Sequence, residues 1–286
     1  MGSEQVETIT VNEDGNPENK VIVHDLGFVI LLDTMGSDEE VENAARISYG
    51  EGTRKVSQTR NLIRYLLRHK HTSPFEMCEV KFHLKLPIFI MRQLVRHRTA
   101  NLNEYSGRYS VMSDEFYLPE GDYLAKQSTT NKQGRGEPLL NKGSLQFEFN
   151  RIYDNATIAY NTLLDEDLTR ELARAVLPVA NYTECIWKID LHNLFNFLKL
   201  RMDSHAQREI RDYADAMYEL IKPKFPLCCE AFEDYVQGAT TFSKQEMYMI
   251  KEVLEGADAK AALTKVCYPL GKRETKEFLE KIGESE

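Results

Sequence analysis

Cys78-Glu79-Val80-Lys81-Phe82-His83-Leu84-Lys85-Leu86 alternates apolar and polar residues without a break. Cys78, Val80, Phe82, Leu84 and Leu86 share one side, and Glu79, Lys81, His83 and Lys85 share the other. Successive side chains point to opposite faces of a strand, so this stretch predicts a half-buried strand with one face open to water or a partner. Upstream, residues 21–32 (VIVHDLGFVILL) are β-branched and apolar and predict one or two more strands. Ser37 and Glu40 have capping-box spacing ahead of Val41, Ala44 and Ala45, the start of a helix. Residues 60–69 place Leu62, Ile63, Leu66 and Leu67 at helical spacing, and Pro74 closes the loop that follows. Pro87 suits the first position of a helix with Ile88, Ile90, Met91, Leu94 and Val95 on one side. Arg92, Gln93, Arg96 and His97 fall on the other side.

Further along, residues 126–144 are polar and rich in Gly and Asn, which predicts a long loop. Helices are expected over residues 145–164 and 169–177, the second stopping at Pro178. Asp190 is an N-cap candidate for a helix running to Met202. Ser204 with Gln207 repeats the capping-box spacing before a helix that ends near Pro223, and Ser243 with Glu246 opens a C-terminal helix. The expected organisation is a tail over residues 1–25, a main domain over 26–240 and a charged helical extension over 241–286.

The chain has 286 residues, with 36 Lys and Arg against 45 Asp and Glu, a net charge of −9. That balance argues against a general nucleic-acid binder, which needs a broad basic surface to displace phosphate counterions. It leaves room for a local basic pocket. Cys78, Cys185, Cys228, Cys229 and Cys267 make no CxxC pair, and two are adjacent, so a disulfide framework is disfavoured and a reducing compartment expected. There is no run of 18 apolar residues for a membrane span. The first 20 residues are acidic and polar, unlike a signal peptide. A cytoplasmic location with no membrane and no nucleic-acid partner is the expectation.

The densest polar segment is Arg96-His97-Arg98-Thr99-Ala100-Asn101-Leu102-Asn103-Glu104-Tyr105-Ser106-Gly107-Arg108-Tyr109-Ser110. Composition alone permits a solvated helix end and a polar loop. The sharper reading is an anion site with Arg96 and Arg98 as forked donors. The order of residues decides between them. Arg-His-Arg, seven residues, Ser106 and then Gly107-Arg108-Tyr109 resembles the flavin-dependent thymidylate synthase family. His71-Thr72-Ser73-Pro74-Phe75-Glu76, Arg170-Glu171-Leu172-Ala173-Arg174, Asn196-Phe197-Leu198 and the run from Leu200 to Gln207 resemble it too, in the family's order.

The resemblance implies an α+β fold, a mainly antiparallel sheet packed with helices, assembled as a homotetramer with sites shared between subunits. It implies conversion of dUMP to dTMP, with 5,10-methylenetetrahydrofolate giving the one-carbon unit and FAD reduced by NADPH giving the hydride. By the same resemblance Ser73, Arg96, His97, Arg98, Glu104, Asp190, Leu191, His192 and Asn196 match FAD contacts. Ser73 replaces a threonine common in the family, and Asp190-Leu191-His192 departs from its usual Asn-Ala-Arg. Gln93, Leu94, Val95, Arg96, Glu104, Tyr105, Ser106, Gly107, Arg108, Arg174 and Arg201 match dUMP contacts, with Arg201 as the catalytic residue. Gly107 is read as giving backbone amides close access, and clustered arginines suit a doubly charged phosphomonoester. His192, Asn196 and Lys199 fall on one helical stripe.

No cysteine stands in a basic, polar context, and Ser106 is the only nucleophile-like residue in the motif. Ser106 is read as an orienting hydroxyl, with covalent attack as the alternative. A metal site on His69, His71 and His205 is the rival enzyme class, but no HExxH accompanies them and no metal is expected. A nucleic-acid module stacking bases on Tyr105 and Tyr109 conflicts with the acidic balance.

Overall fold

The alternating stretch forms β3, Glu79–Pro87, at the centre of a five-stranded sheet. The computed structural model describes residues 19–47, 59–129, 134–255 and 272–283. The other strands are β1 (Lys20–Val23), β2 (Gly27–Met35), β4 (Asn101–Glu104) and β7 (Tyr182–Asp190), in the order β1-β2-β3-β7-β4. Every pairing is antiparallel. The fold is therefore α+β, with an antiparallel sheet packed by helices.

Val80, Phe82 and Leu84 of β3 are fully buried, as the alternation requires. Phe82 stacks on Trp187 of β7, and Trp187 meets Phe197 of helix α7 (Leu191–Arg201) edge-on. Helix α8 (Arg208–Ile221) lies against β1 and β2, and its Tyr213 hydroxyl donates to the Lys85 carbonyl at 2.7 Å. The opposite face of the sheet carries cross-strand polar pairs. His83 meets Glu184 at 2.7 Å, Lys188 meets Glu79 at 2.6 Å and Lys81 meets Asp33 at 3.3 Å. Cross-strand pairing of polar side chains lets that face stay polar at low energetic cost.

The remaining helices of this unit are α1 (Asp38–Arg46), α2 (Thr59–Arg68), α3 (Ser73–Glu76), α4 (Ile88–Leu94), α5 (Lys142–Asp165), α6 (Arg170–Ala173) and α9 (Pro226–Phe232). Met1–Glu233 forms one compact unit and Asp234–Glu286 a second. In the second, α10 (Lys244–Leu254) and α11 (Lys272–Lys281) bury Met249, Phe278 and Leu279. Its Ser243 and Glu246 make the expected capping box in both directions.

Several local expectations are corrected. Lys20–Val23, within the stretch expected as a tail, pairs with β2 as an edge strand. Ser37 sits at the N-cap of α1 without a side-chain bond, its backbone carbonyl accepting from Glu40 and Val41 instead. Pro74 lies in the first turn of α3 and does not close a loop, consistent with its fixed φ and missing N–H. Helix α4 ends at Leu94, which leaves Val95 at the C-cap and 45% exposed. Residues 125–138 contain a two-stranded hairpin, β5 (Ala125–Gln127) with β6 (Arg135–Pro138), where a loop was expected. Gln207, not Ser204, occupies the N-cap of α8, without a side-chain cap bond, and in the turn before it Asp203 accepts from the His205 amide. Sequence reading missed β7 and β4. The alternation of Tyr182, Thr183, Cys185, Trp187 and Ile189 was obscured by Thr183 and Tyr182, and β4 is exposed throughout, with no apolar period to read.

Candidate active site

The polar segment that follows α4 runs up to and along the sheet edge. Asn101 to Glu104 pairs with Lys188 to Cys185 of β7, and the Tyr105 amide donates to the Glu184 carbonyl at 2.8 Å. This edge strand turns a loop-like sequence into a fixed platform. Glu104 Oε1 accepts a hydrogen bond from Thr183 Oγ1 at 3.0 Å, and Thr183 is buried on β7. Sequence reading assigned Thr183 no part in the site. It is legible only through the β4–β7 register.

Arg201, at the end of α7, donates from Nε to Nε2 of His97 across 3.1 Å. The His97 ring stands edge-on to Phe197, 4.8 Å between centroids. Burial and the neighbouring Arg201 charge push the imidazole pKa down to about 4, so it is neutral and able to accept at neutral pH. Burial also lowers the Arg201 pKa, though a guanidinium stays charged at neutral pH. Neither Asp203 nor Glu209 pairs with Arg201: Asp203 binds His205 at 2.8 Å, and Glu209 binds Arg135. Among the described residues no carboxylate lies within ion-pair distance of Arg96, Arg98 or Arg201. Arg96 and Arg98 are exposed.

The second cluster forms around the turn from Tyr105 to Ser110. The Arg108 amide donates to Ser106 Oγ at 3.4 Å, and the Tyr105 hydroxyl to the Val111 carbonyl at 2.8 Å. Arg108 Nε pairs with Glu171 of α6 at 2.8 Å, and Arg170 of α6 donates to the Tyr109 carbonyl at 2.9 Å. Gly107 has a reason other than amide access. A Cβ there would stand 2.6 Å from Met112 Sδ and 3.2 Å from Arg174 Cδ, so the bare Cα makes room for both side chains. The fold thus brings Arg174 beside the Ser106-Gly107-Arg108 turn. Gln93 on α4 donates to Gln207 at 2.6 Å.

At the other end of α7, Asp190 accepts from the Asn193 amide at 2.9 Å and from Asn193 Nδ2 at 2.7 Å. Its carboxylate is an N-cap with both oxygens used. Leu191 and Leu94 are fully buried, so only their backbone atoms are available to a ligand. His192 and Asn196 face outward and bond to each other at 3.1 Å. The exposed Ser73 opens α3, which packs on α7 through Phe75 and Phe195. The α7 helix of 11 residues separates the His192 end from Arg201 by about 15 Å at 1.5 Å per residue.

Cysteine offers no nucleophile among the described residues. Burial raises the pKa of Cys78 to about 11 and of Cys185 and Cys229 to about 12, and pushes Cys228 well up. Cys267 lies outside the described residues.

The family model described as "Thymidylate synthase complementing protein" matches residues 30–227, which begin within β2 and take in β3, β4, β7 and both clusters. The chain belongs to the flavin-dependent thymidylate synthase family of enzymes. The flavin-dependent thymidylate synthase of Ehrlichia ruminantium (strain Welgevonden) is 49% identical over 274 residues, 94% of this chain and 89% of that one. The one from Dictyostelium discoideum is 51% identical over 247 residues, covering 83% and 81%. Among solved structures, a UMP/dUMP methylase PolB from Streptomyces cacaoi bound with 5-Br dUMP is similar with a TM-score of 0.70 at 33% identity. That likeness covers 76% of this chain and 99% of the methylase.

Proposed function

We propose that this enzyme methylates dUMP to dTMP, with 5,10-methylenetetrahydrofolate as one-carbon donor and FAD reduced by NADPH as hydride source. The observation that carries the reading is the set of guanidinium groups at Arg96, Arg98 and Arg201, which have no carboxylate partner among the described residues within a family-matching segment. Three such cations suit ligands with phosphate groups and a ring that gains negative charge. Family membership and the dUMP-analogue complex of a similar structure support the same substrate.

The residues present fit a flavin dinucleotide. The exposed Arg96 and Arg98 suit a pyrophosphate, and His192 and Asn196 offer outward-facing polar groups beside the α3 helix that carries Ser73. Asp190 would contribute through the helix it caps, and Leu191 through its backbone. When bound, the reduced flavin supplies the hydride, a redox step that no side chain offers.

The dUMP end draws on the other cluster. Arg174 and Arg108 flank the Gly107 turn and suit the phosphate, with Ser106 as an orienting hydroxyl and Tyr105 fixed by its bond to Val111. Gln93, Glu104 and the backbone at Leu94 and Val95 complete the nucleotide contacts. Arg201 spends Nε on a neutral His97, so its orientation is fixed while its charge is left intact. Its terminal amino groups would stabilise negative charge as uracil N3 ionises or O4 gains density. That raises nucleophilicity at C5, which attacks the methylene carbon. A cysteine-dependent route has no ionisable thiol to use among the described residues.

The assembly we propose is a homotetramer. Helix α5 is 24 residues long and buries only Tyr153 and Tyr160, while Phe147, Ile152 and Ile158 are 65%, 48% and 63% exposed. Such a face favours cover by another copy. The decisive experiment is to purify the protein, add FAD, and supply dUMP, methylenetetrahydrofolate and NADPH. A yellow protein that forms dTMP is expected; a protein that retains no flavin and forms no dTMP would sink the reading.

A further inference from the structure

Gln93 Nε2 donates to Gln207 Oε1 across 2.6 Å, and Gln207 Nε2 donates to Glu209 Oε2 across 2.9 Å. Glu209 is 2% exposed, and its Oε1 accepts from the Tyr117 hydroxyl at 3.2 Å and from the Arg135 guanidinium. These bonds form a relay with one direction. A carboxylate only accepts, so Gln207 must turn its amino group to Glu209 and its carbonyl to Gln93. Gln93 must then turn its own amino group to Gln207, which leaves its carbonyl oxygen on the opposite arm of the amide. An exposed glutamine ordinarily flips at little cost. Flipping Gln93 here would set two carbonyl oxygens against each other, and flipping both glutamines would set a carbonyl against the buried carboxylate.

We propose that Gln207 and Glu209 are positioning residues that hold the Gln93 amide with its carbonyl oxygen toward the nucleotide, where it accepts from a donor on the substrate. This rests on the reading of Gln93 as a dUMP contact. The anchor is well founded physically. Burial works against the Glu209 carboxylate, but the hydrogen bond and charge of Arg135 outweigh it and hold its pKa below the usual range. Arg135 responds in kind: burial works against its charge, and Glu209 raises its pKa all the same. Arg135 lies on β6, so the hairpin over residues 125–138 locks a residue on α4 through two intermediates. The sequence shows none of this, since Gln93, Arg135, Gln207 and Glu209 fall on three separate segments.

The test is a double-mutant cycle read by calorimetric titration of dUMP into the FAD-loaded protein. Gln93→Met and Gln207→Met keep side-chain length and remove the hydrogen bonds, at positions that are half-buried and exposed. Each single variant is expected to raise the dUMP Kd about fivefold to tenfold, the worth of one hydrogen bond. Adding Gln207→Met to Gln93→Met is expected to change Kd by less than about twofold, because Gln207 acts only through Gln93. A merely structural Gln207 would lower the melting temperature and leave that coupling absent. Wild-type dUMP affinity in Gln207→Met, or effects that multiply in the double variant, would overturn the proposal alone. Unchanged affinity in Gln93→Met would overturn the placement of Gln93 at the nucleotide, and the proposal with it.

Discussion

Arg201 and His97 form a donor–acceptor pair in which only the arginine is charged. The 3.1 Å bond from Arg201 Nε ends on an imidazole whose pKa burial and Arg201 itself hold near 4. A carboxylate in that position would neutralise the arginine; a neutral ring orients it and leaves its field for the substrate. Phe197, packed on Trp187, fixes the ring from the core side. The sheet core therefore sets the direction of the proposed catalytic cation.

Arg201→Ala is expected to lower kcat by roughly 10²–10³, about 3–4 kcal/mol, the typical loss when one preorganised donor to a developing anion is removed. The melting temperature should hold or rise slightly, because burial already disfavours the charge. Lysine should recover only part of the rate, since a point charge does not reproduce the planar fork. Single-turnover oxidation of the reduced enzyme by dUMP and folate is the measurement. An unchanged single-turnover rate would remove Arg201 from the chemistry.

His97 predicts a pH dependence of stability. Its folded-state pKa of about 4 lies below the unfolded value of 6.5. Between those values the unfolded chain binds the proton and the folded protein does not, so stability rises with pH. The contribution is complete above about pH 6.5 and is lost as pH falls toward about 4. Melting curves between those limits should fall more steeply for the wild type than for His97→Gln. Parallel curves for the two proteins would contradict the depressed value.

Thr183→Val should lower turnover severalfold with little change in the fold, because the isosteric swap deletes only the hydroxyl that holds Glu104 Oε1. Thr183→Ser should restore most of the rate. One hydrogen bond to a charged group is worth about 1.5–3 kcal/mol at most, which bounds the loss. Comparison of kcat and KM for the three proteins checks it, with equal kcat in all three as the refuting result.

Glu171→Gln should tighten dUMP binding about twofold to fivefold. Arg108 and Glu171 are both more than half exposed, so their pair is worth roughly 0.2–1 kcal/mol, and a phosphate must displace that carboxylate to use Arg108 fully. Titration at low and high salt is the check, since the gain should shrink as salt screens the competition. Weaker binding in Glu171→Gln would mean that the carboxylate positions Arg108 for the ligand.

Much of this protein was legible in one dimension. The period-two pattern from Cys78 to Leu86 specified the central strand, since each alternate side chain must find the core. Local chemistry also specified the Asp190 cap, where the carboxylate needs only the amide three residues on. The Arg-His-Arg motif marked the family through residue order alone. Relations across the chain were not legible. Capping spacing at Ser37 and Ser204 predicted side-chain bonds that do not form: Ser37 serves its helix through its backbone carbonyl, and the N-cap of α8 falls on Gln207. The exposed strand β4 has no apolar period, and only pairing with β7 makes it a strand. The His97–Arg201, Thr183–Glu104, Gln93–Gln207 and Glu209–Arg135 contacts join residues 74 to 114 positions apart, and only Gln207 and Glu209 are neighbours in sequence. Sequence determined which side chains carry charge and hydrogen-bonding capacity; tertiary structure alone decided which of those groups cancel, which orient one another and which stay available to a ligand, because desolvation and distance are properties of the packed chain.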